Sequence, residues 1–146
     1  MEREERADVV RLMDVLRVEG PALAKEVVAL PRAATISDED ATQFMHAILA
    51  ALVETVEGRS FSAREVFLDG MRSFSATGRP VADGVRGVSR YCLLIAGRVT
   101  VALPVDERPK AQLRLATAAS ELLHDIVALE FEARDRSSAF GGARAS

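Results

Sequence analysis

Between Gly78 and Leu103 the chain reads Gly-Arg-Pro-Val-Ala-Asp-Gly-Val-Arg-Gly-Val-Ser-Arg-Tyr-Cys-Leu-Leu-Ile-Ala-Gly-Arg-Val-Thr-Val-Ala-Leu. This run constrains the fold more than any other. Gly78 fits the position just past a preceding helix, and Pro80 fits the first turn of a new one. Apolar or small residues then recur at Val81, Gly84, Val85, Val88, Tyr91, Cys92, Ile95, Val99 and Ala102, which is a helical period. A second stripe, Leu93, Leu94, Gly97 and Val101, points the other way. Such a helix packs into a bundle on one side and keeps apolar surface on the other.

The remaining residues supply the bundle. Residues 2–18 are expected to form an amphipathic helix with Val9, Leu12, Met13 and Leu16 on one face. Gly20-Pro21 is expected to break it. A shorter helix over about 21–30, with Leu23, Val27, Val28 and Leu30 inward, then ends at Pro31. Ser37 reads as the N-cap of the next helix, with Asp38, Glu39 and Asp40 in its positive first turn. Ala41, Phe44, Met45, Ile48, Leu49, Leu52, Val53 and Val56 form its core face, and Gly58 stops it. Phe61 to Val66 matches a capping box inside a hydrophobic staple, Ser62 with Glu65 and Phe61 on Val66. That helix, 62–77, turns Phe67, Met71 and Phe74 inward. Pro104 closes the helix over 80–103, and a last helix over 107–135 carries Leu115, Ala119, Leu122, Ile126 and Leu129 on its core face before fading near Arg136. The expectation is an all-α antiparallel bundle of about five to six helices. Residues 1–136 would be the helical domain, and 137–146 a flexible tail or linker.

Composition agrees with that architecture. The 146 residues are 49% hydrophobic but only 5% aromatic, without Trp, so the core is built mainly from aliphatic side chains. The net charge of −3 offers no overall surface for a polyanion. Residues 59–98 nevertheless hold seven arginines against three acids, Glu65, Asp69 and Asp83, which reads as a solvated or dimer-rim stripe. The charged start, Met-Glu-Arg-Glu-Glu-Arg, lacks the apolar region of a signal peptide. The most apolar segment, 91–103, is interrupted by Arg98, so no membrane span is expected and the chain reads as soluble and cytoplasmic.

Few residues suggest chemistry. His46 and His124 each lie about 160° from the centre of their helix's core face at 100° per residue, and both should point to solvent. A haem or buried metal needs a ligand on the inner face. Cys92, the only cysteine, falls on a core face and reads as a small hydrophobe. Paired carboxylates occur only at helix starts, Asp38/Glu39/Asp40 and Asp106/Glu107, where the helix dipole explains them. No phosphate loop, zinc spacing or nucleophilic triad is present, so no cofactor, metal or catalytic residue is assigned.

Each interior glycine of the 80–103 helix costs about 1 kcal/mol relative to alanine and needs a reason. Gly84 lies on the core side, where another helix approaches. Gly97 sits among Leu93, Leu94 and Val101, the pattern of a second packing surface. Either the first or the last helix covers that patch or a second copy of the chain does, and the pattern favours the second copy. The expected dimer interface is therefore Leu93, Leu94, Gly97 and Val101, flanked by Arg90. The alternative is a small-molecule sensor with a pocket between the helices 62–77 and 80–103, near Phe74, Tyr91 and Arg98.

The residues Arg72, Gly78, Pro80, Val81, Gly84, Val85, Val88, Arg90 and Tyr91 follow a recognisable pattern: Arg-x5-Gly-x-Pro, spaced apolar positions, then Arg-Tyr and a long apolar continuation. This resembles the N-terminal helical domain of RsbR-type stress-signalling proteins, also found at the front of PucR-type transcriptional regulators, over roughly residues 5–135. The resemblance implies a non-catalytic, haem-free sensory or dimerisation domain, in some members globin-like in helix arrangement. Such a domain signals to an effector domain or a partner protein in bacterial transcription or stress regulation. With no helix-turn-helix visible here, direct nucleic-acid binding by these residues is not expected.

Overall fold

The computed structural model describes residues 3–31, 36–58, 62–76 and 81–145. Five α-helices and one single-turn 3-10 helix make an all-α bundle, with no strand among the described residues. The helices are α1 (Arg3–Val28), α2 (Asp38–Glu57), α3 (Ser62–Ala76), α4 (Val81–Ala102) and α5 (Arg108–Ala145), and the 3-10 turn spans Val105–Glu107. None of the described helices is long and apolar enough to cross a membrane.

The centre of the bundle is α2 rather than α4. Met45, Ile48, Ala51 and Leu52 are essentially inaccessible, with Ala41, Leu49 and Val53 buried beside them. At 100° per residue these positions span about 200° of the helix circumference. A face that wide cannot be covered by one neighbour, and α2 packs against all four other helices, most extensively α1. The buried positions of α4, including Val88, Tyr91, Cys92, Ile95 and Val99, form a narrower stripe. That makes α4 a perimeter helix, packed on α5 and α1 and lightly on α2. Ala102, expected on its core face, is exposed.

The local signals at both ends of α2 are met. The Ser37 hydroxyl accepts the Asp40 N–H at 3.0 Å with Ser37 in an extended conformation, capping α2. Gly58 ends α2 in the left-handed region at φ 73, where a Cβ would be strained, and donates its N–H to the Glu54 carbonyl.

Three departures have physical causes. First, α1 passes through Pro21 without breaking. A proline disfavours the helical conformation of its predecessor through a clash with that residue's Cβ, and Gly20 has none. Gly20 is also buried where α1 meets α2: a Cβ there would stand 3.3 Å from Leu49 Cδ2. Second, the first turn of α3 is held by a carboxylate from the preceding helix. Glu54 accepts the Ala63 N–H at 2.7 Å, the Arg64 N–H at 3.1 Å and the Ser62 hydroxyl at 3.0 Å. Val66, the expected staple partner, is 68% exposed, and Phe61 lies outside the described residues. A full negative charge at a helix start satisfies orphan N–H groups and the dipole together. Third, α5 continues past Arg136 to Ala145. Extending an existing helix needs no new nucleus, so further residues can add to the end of α5 at low cost.

The glycines give a direct test. Gly20→Leu should lower stability by about 1–3 kcal/mol in urea denaturation, because the α1–α2 contact has no room for it. Gly70→Ala and Gly87→Ala, where a Cβ meets nothing within 4 Å, should each raise stability by about 0.5–1 kcal/mol. Equal effects at all three positions would disprove the close approach at Gly20.

Candidate functional site

On a perimeter helix the inner face belongs to the core, and what remains is the outer one. On the outer face of α4, Leu93 and Val101 are 74% and 76% exposed. Gly97 lies between them, one helical turn from each, exposed and with nothing within 4 Å of where a Cβ would stand. Leu94, expected with them, is partly buried and packs against the core. Its position is about 100° round from Leu93, which takes it toward the α1 side. Arg90 is exposed and donates to the Pro31 carbonyl at 3.1 Å, tying the end of α1 to α4.

Arg98 is not free to hold a ligand. Its Nε donates to the Glu19 carboxylate at 2.7 Å and its Nη1 pairs with Glu26, both on α1. The two glutamates stand seven residues apart, so one guanidinium bridges two turns of the neighbouring helix. Tyr91 is buried, with its ring edge-on to Phe44 at 5.4 Å between centroids. Phe44 in turn lies 6.1 Å from Phe67, so three aromatic rings join α2, α3 and α4. The side chain of Phe74 lies outside those described. Of the residues proposed for a pocket, Tyr91 is thus drawn into the core and Arg98 into an ion-pair bridge.

Within the arginine-rich stretch 59–98, Arg64, Arg72 and Arg86 also have carboxylate partners. Arg64 donates from Nε to Asp125 at 2.7 Å and from Nη1 to Glu121 at 3.1 Å, joining α3 to α5. Burial by itself lowers the affinity of that guanidinium for its proton, but its hydrogen bonds and attraction to Asp125, then Glu121, outweigh this and raise its pKa. Arg72 pairs with Asp69 at 2.6 Å, and Arg86 with Asp83 at 3.7 Å. Arg59 and Arg79 lie outside the described residues.

A groove of about 470 Å³ lies elsewhere, between the start of α1, the end of α2 and α5. Glu5, Lys110, Arg114 and Glu121 line it with balanced charge, over Val56, Leu113 and Ala118. Its two threonines turn their hydroxyls inward: Thr55 donates to the Ala51 carbonyl at 2.7 Å and Thr117 to the Leu113 carbonyl at 2.8 Å. A cavity of about 20 Å³ adjoins it, lined in part by Asp8, Glu107, Lys110 and Arg114. There Glu107 Oε2 is buried with no hydrogen bond, while its other oxygen pairs with Arg11.

His46 and His124 are both exposed, as their wheel positions predict. No cluster of three or more potential metal ligands occurs among the described residues. Cys92 is buried, and burial pushes its thiol from an ordinary 9.0 up to about 11. The thiol is therefore protonated, and a poor nucleophile, at neutral pH.

Sequence reasoning missed the cross-helix bridges, because a carboxylate 72 or 79 residues away gives no local signal to the Arg98 that meets it. It also missed Arg108, whose guanidinium reaches back to the Leu103 carbonyl at 3.0 Å and the Val101 carbonyl at 3.4 Å. These contacts satisfy the end of α4, which has no basic residue in its own last turn.

No family model, curated protein or solved structure matches the chain.

Two measurements check this account. Arg98→Ala should cost about 1–2 kcal/mol, between the values for exposed and buried pairs. A double-mutant cycle with Glu19→Ala should recover a coupling above about 0.5 kcal/mol; zero coupling would refute the bridge. The raised thiol pKa stabilises the fold fully below about pH 9. That stabilisation is lost as pH rises toward 11, because the unfolded thiol ionises first. From pH 8 to 11 the parent should lose up to about 3 kcal/mol more stability than Cys92→Ala, and parallel pH profiles would contradict the burial.

Proposed function

We propose that this chain is a non-catalytic regulatory domain that self-associates through the outer face of α4. In this reading it is the sensory or dimerisation module of a bacterial transcription or stress-signalling system in the cytoplasm, of the RsbR/PucR type. It passes its signal to an effector domain or a partner protein rather than contacting nucleic acid itself. The observation that carries the reading is the pair of large apolar side chains, Leu93 and Val101, held in water on either side of the exposed Gly97. Leaving such side chains exposed forgoes roughly 1.5–3 kcal/mol each, and interior glycine adds a further cost in helix stability. A partner helix seated at Gly97 recovers both. The RsbR/PucR-type pattern over Arg72–Tyr91 supports the same function.

The competing reading, a small-molecule pocket beside Tyr91 and Arg98, has less behind it, since Glu19 and Glu26 occupy Arg98.

The patch is narrow, so the dimer is expected to be weak and concentration-dependent. Sedimentation velocity over a range of concentrations should show the parent shifting from monomer to dimer. Leu93→Glu, Val101→Glu and Gly97→Arg should each keep the far-UV helical signal and hold the protein as monomer. If all three sediment like the parent, α4 is not the interface.

A further inference from the structure

We infer that two copies pair antiparallel through α4, crossing at Gly97, with Arg90 of each copy set against Asp106 of the other. This rests on the self-association reading above and adds the geometry and polar contacts of that interface.

The outer stripe is nearly symmetric about Gly97. At 100° per residue, Arg86, Arg90, Leu93, Gly97 and Val101 fall within an arc of about 80° on α4. Leu93 lies four residues before Gly97 and Val101 four residues after it. A two-fold axis through Gly97, perpendicular to the helix, lays Leu93 of one copy on Val101 of the other, and does so twice. The bare glycines meet at the crossing, where the absence of a Cβ lets the two backbones come close.

A parallel pair would also match the apolar positions, each residue facing its own counterpart. Charge decides between the two arrangements. Arg86 and Arg90 both lie on the N-terminal half of the stripe and are exposed. A parallel pair would set the two Arg90 guanidinium groups together at one end, where Arg86 is already matched by its own Asp83 at 3.7 Å, and would align the two helix dipoles. An antiparallel pair opposes the dipoles and carries each Arg90 toward the C-terminal end of the other α4, where a cation is favoured. Arg90 stands about 10 Å before Gly97 along the axis, and the turn beginning at Pro104 stands about as far beyond it. In that turn Val105 is 73% exposed and Asp106 is exposed. Val105 can cover the Arg90 stem, and Asp106 can accept from its guanidinium. Glu107 is already paired with Arg11, and Arg108 is spent on the α4 carbonyls, which leaves Asp106 as the acid that fits.

The test reverses each charge. Arg90→Glu alone and Asp106→Arg alone should each raise the dimer dissociation constant by on the order of tenfold. An equimolar mixture of the two should recover parent-like association, because both crossed pairs in the mixed dimer are again opposite in sign. As a second measurement, Leu93→Cys chains mixed with Val101→Cys chains should oxidise to a cross-linked pair, while Leu93→Cys alone should not. The buried Cys92 serves as the unreactive background in the parent control. A parent that stays monomeric at every concentration overturns the self-association reading itself. A dimer indifferent to both reversals, one not recovered on mixing, or Leu93→Cys chains that link to themselves overturns the antiparallel geometry alone.

Discussion

The bundle depends on α2 having apolar side chains over more than half its circumference. Met45, Ile48, Ala51 and Leu52, with Ala41, Leu49 and Val53 beside them, are closed to water, while Gln43, His46 and Ala50 keep a solvent-facing strip on the opposite side. Burying a Leu, Ile or Met side chain contributes on the order of 1.5–3 kcal/mol, so enclosing α2 is a large gain available only if several helices share the work. The other helices need only one buried stripe each, and each keeps an outer face. Gly20 lets α1 come closest, consistent with α1 making the most extensive contact with α2. The Phe44, Phe67 and Tyr91 rings fill the space where α2 meets α3 and α4.

Around that apolar centre, charge fixes which helix stands next to which. Arg98 holds α4 to α1 through Glu19 and Glu26, and Arg64 holds α3 to α5 through Glu121 and Asp125. Arg11 and Lys110 join α1 to the 3-10 turn and the start of α5 through Glu107 and Asp8. Each cluster lies at a partly exposed rim, where pairing contributes modestly to stability but a wrong neighbour would leave charges unmatched. The same device serves helix ends. Glu54 reaches forward from α2 to the start of α3, and Arg108 reaches back from α5 to the end of α4. Two connections are thus capped by a full charge of the sign the helix dipole favours.

The outer face of α4 is where this economy stops. Its apolar residues at 93 and 101 are left in water, Arg86 has only the local Asp83, and Arg90 reaches a single backbone carbonyl, that of Pro31, whereas Arg98 on the same helix is held by two carboxylates. A helix that spent Gly97 on nothing would be less stable than one with alanine there. A second copy crossing at that glycine gives the residue a purpose and matches the opposed charges at either end of the stripe.

What the sequence determined by itself was everything carried by short-range pattern. The all-α class, the helix positions, the Ser37 and Gly58 ends of α2, the exposure of both histidines and the burial of Cys92 follow from periodicity and local capping, which involve residues within a turn or two of each other. What only the tertiary structure decided was the order of importance among the helices and the identity of their long-range partners. α2 rather than α4 is central, because centrality depends on how many neighbours share a face and not on how long an apolar run is. Leu94 is drawn against the core while Leu93, its neighbour in sequence, is left outside, because α1 covers one side of α4 and not the other. Arg98 turns to α1 and Glu54 reaches the start of α3 for one reason: each meets groups that the fold brings within a few ångströms.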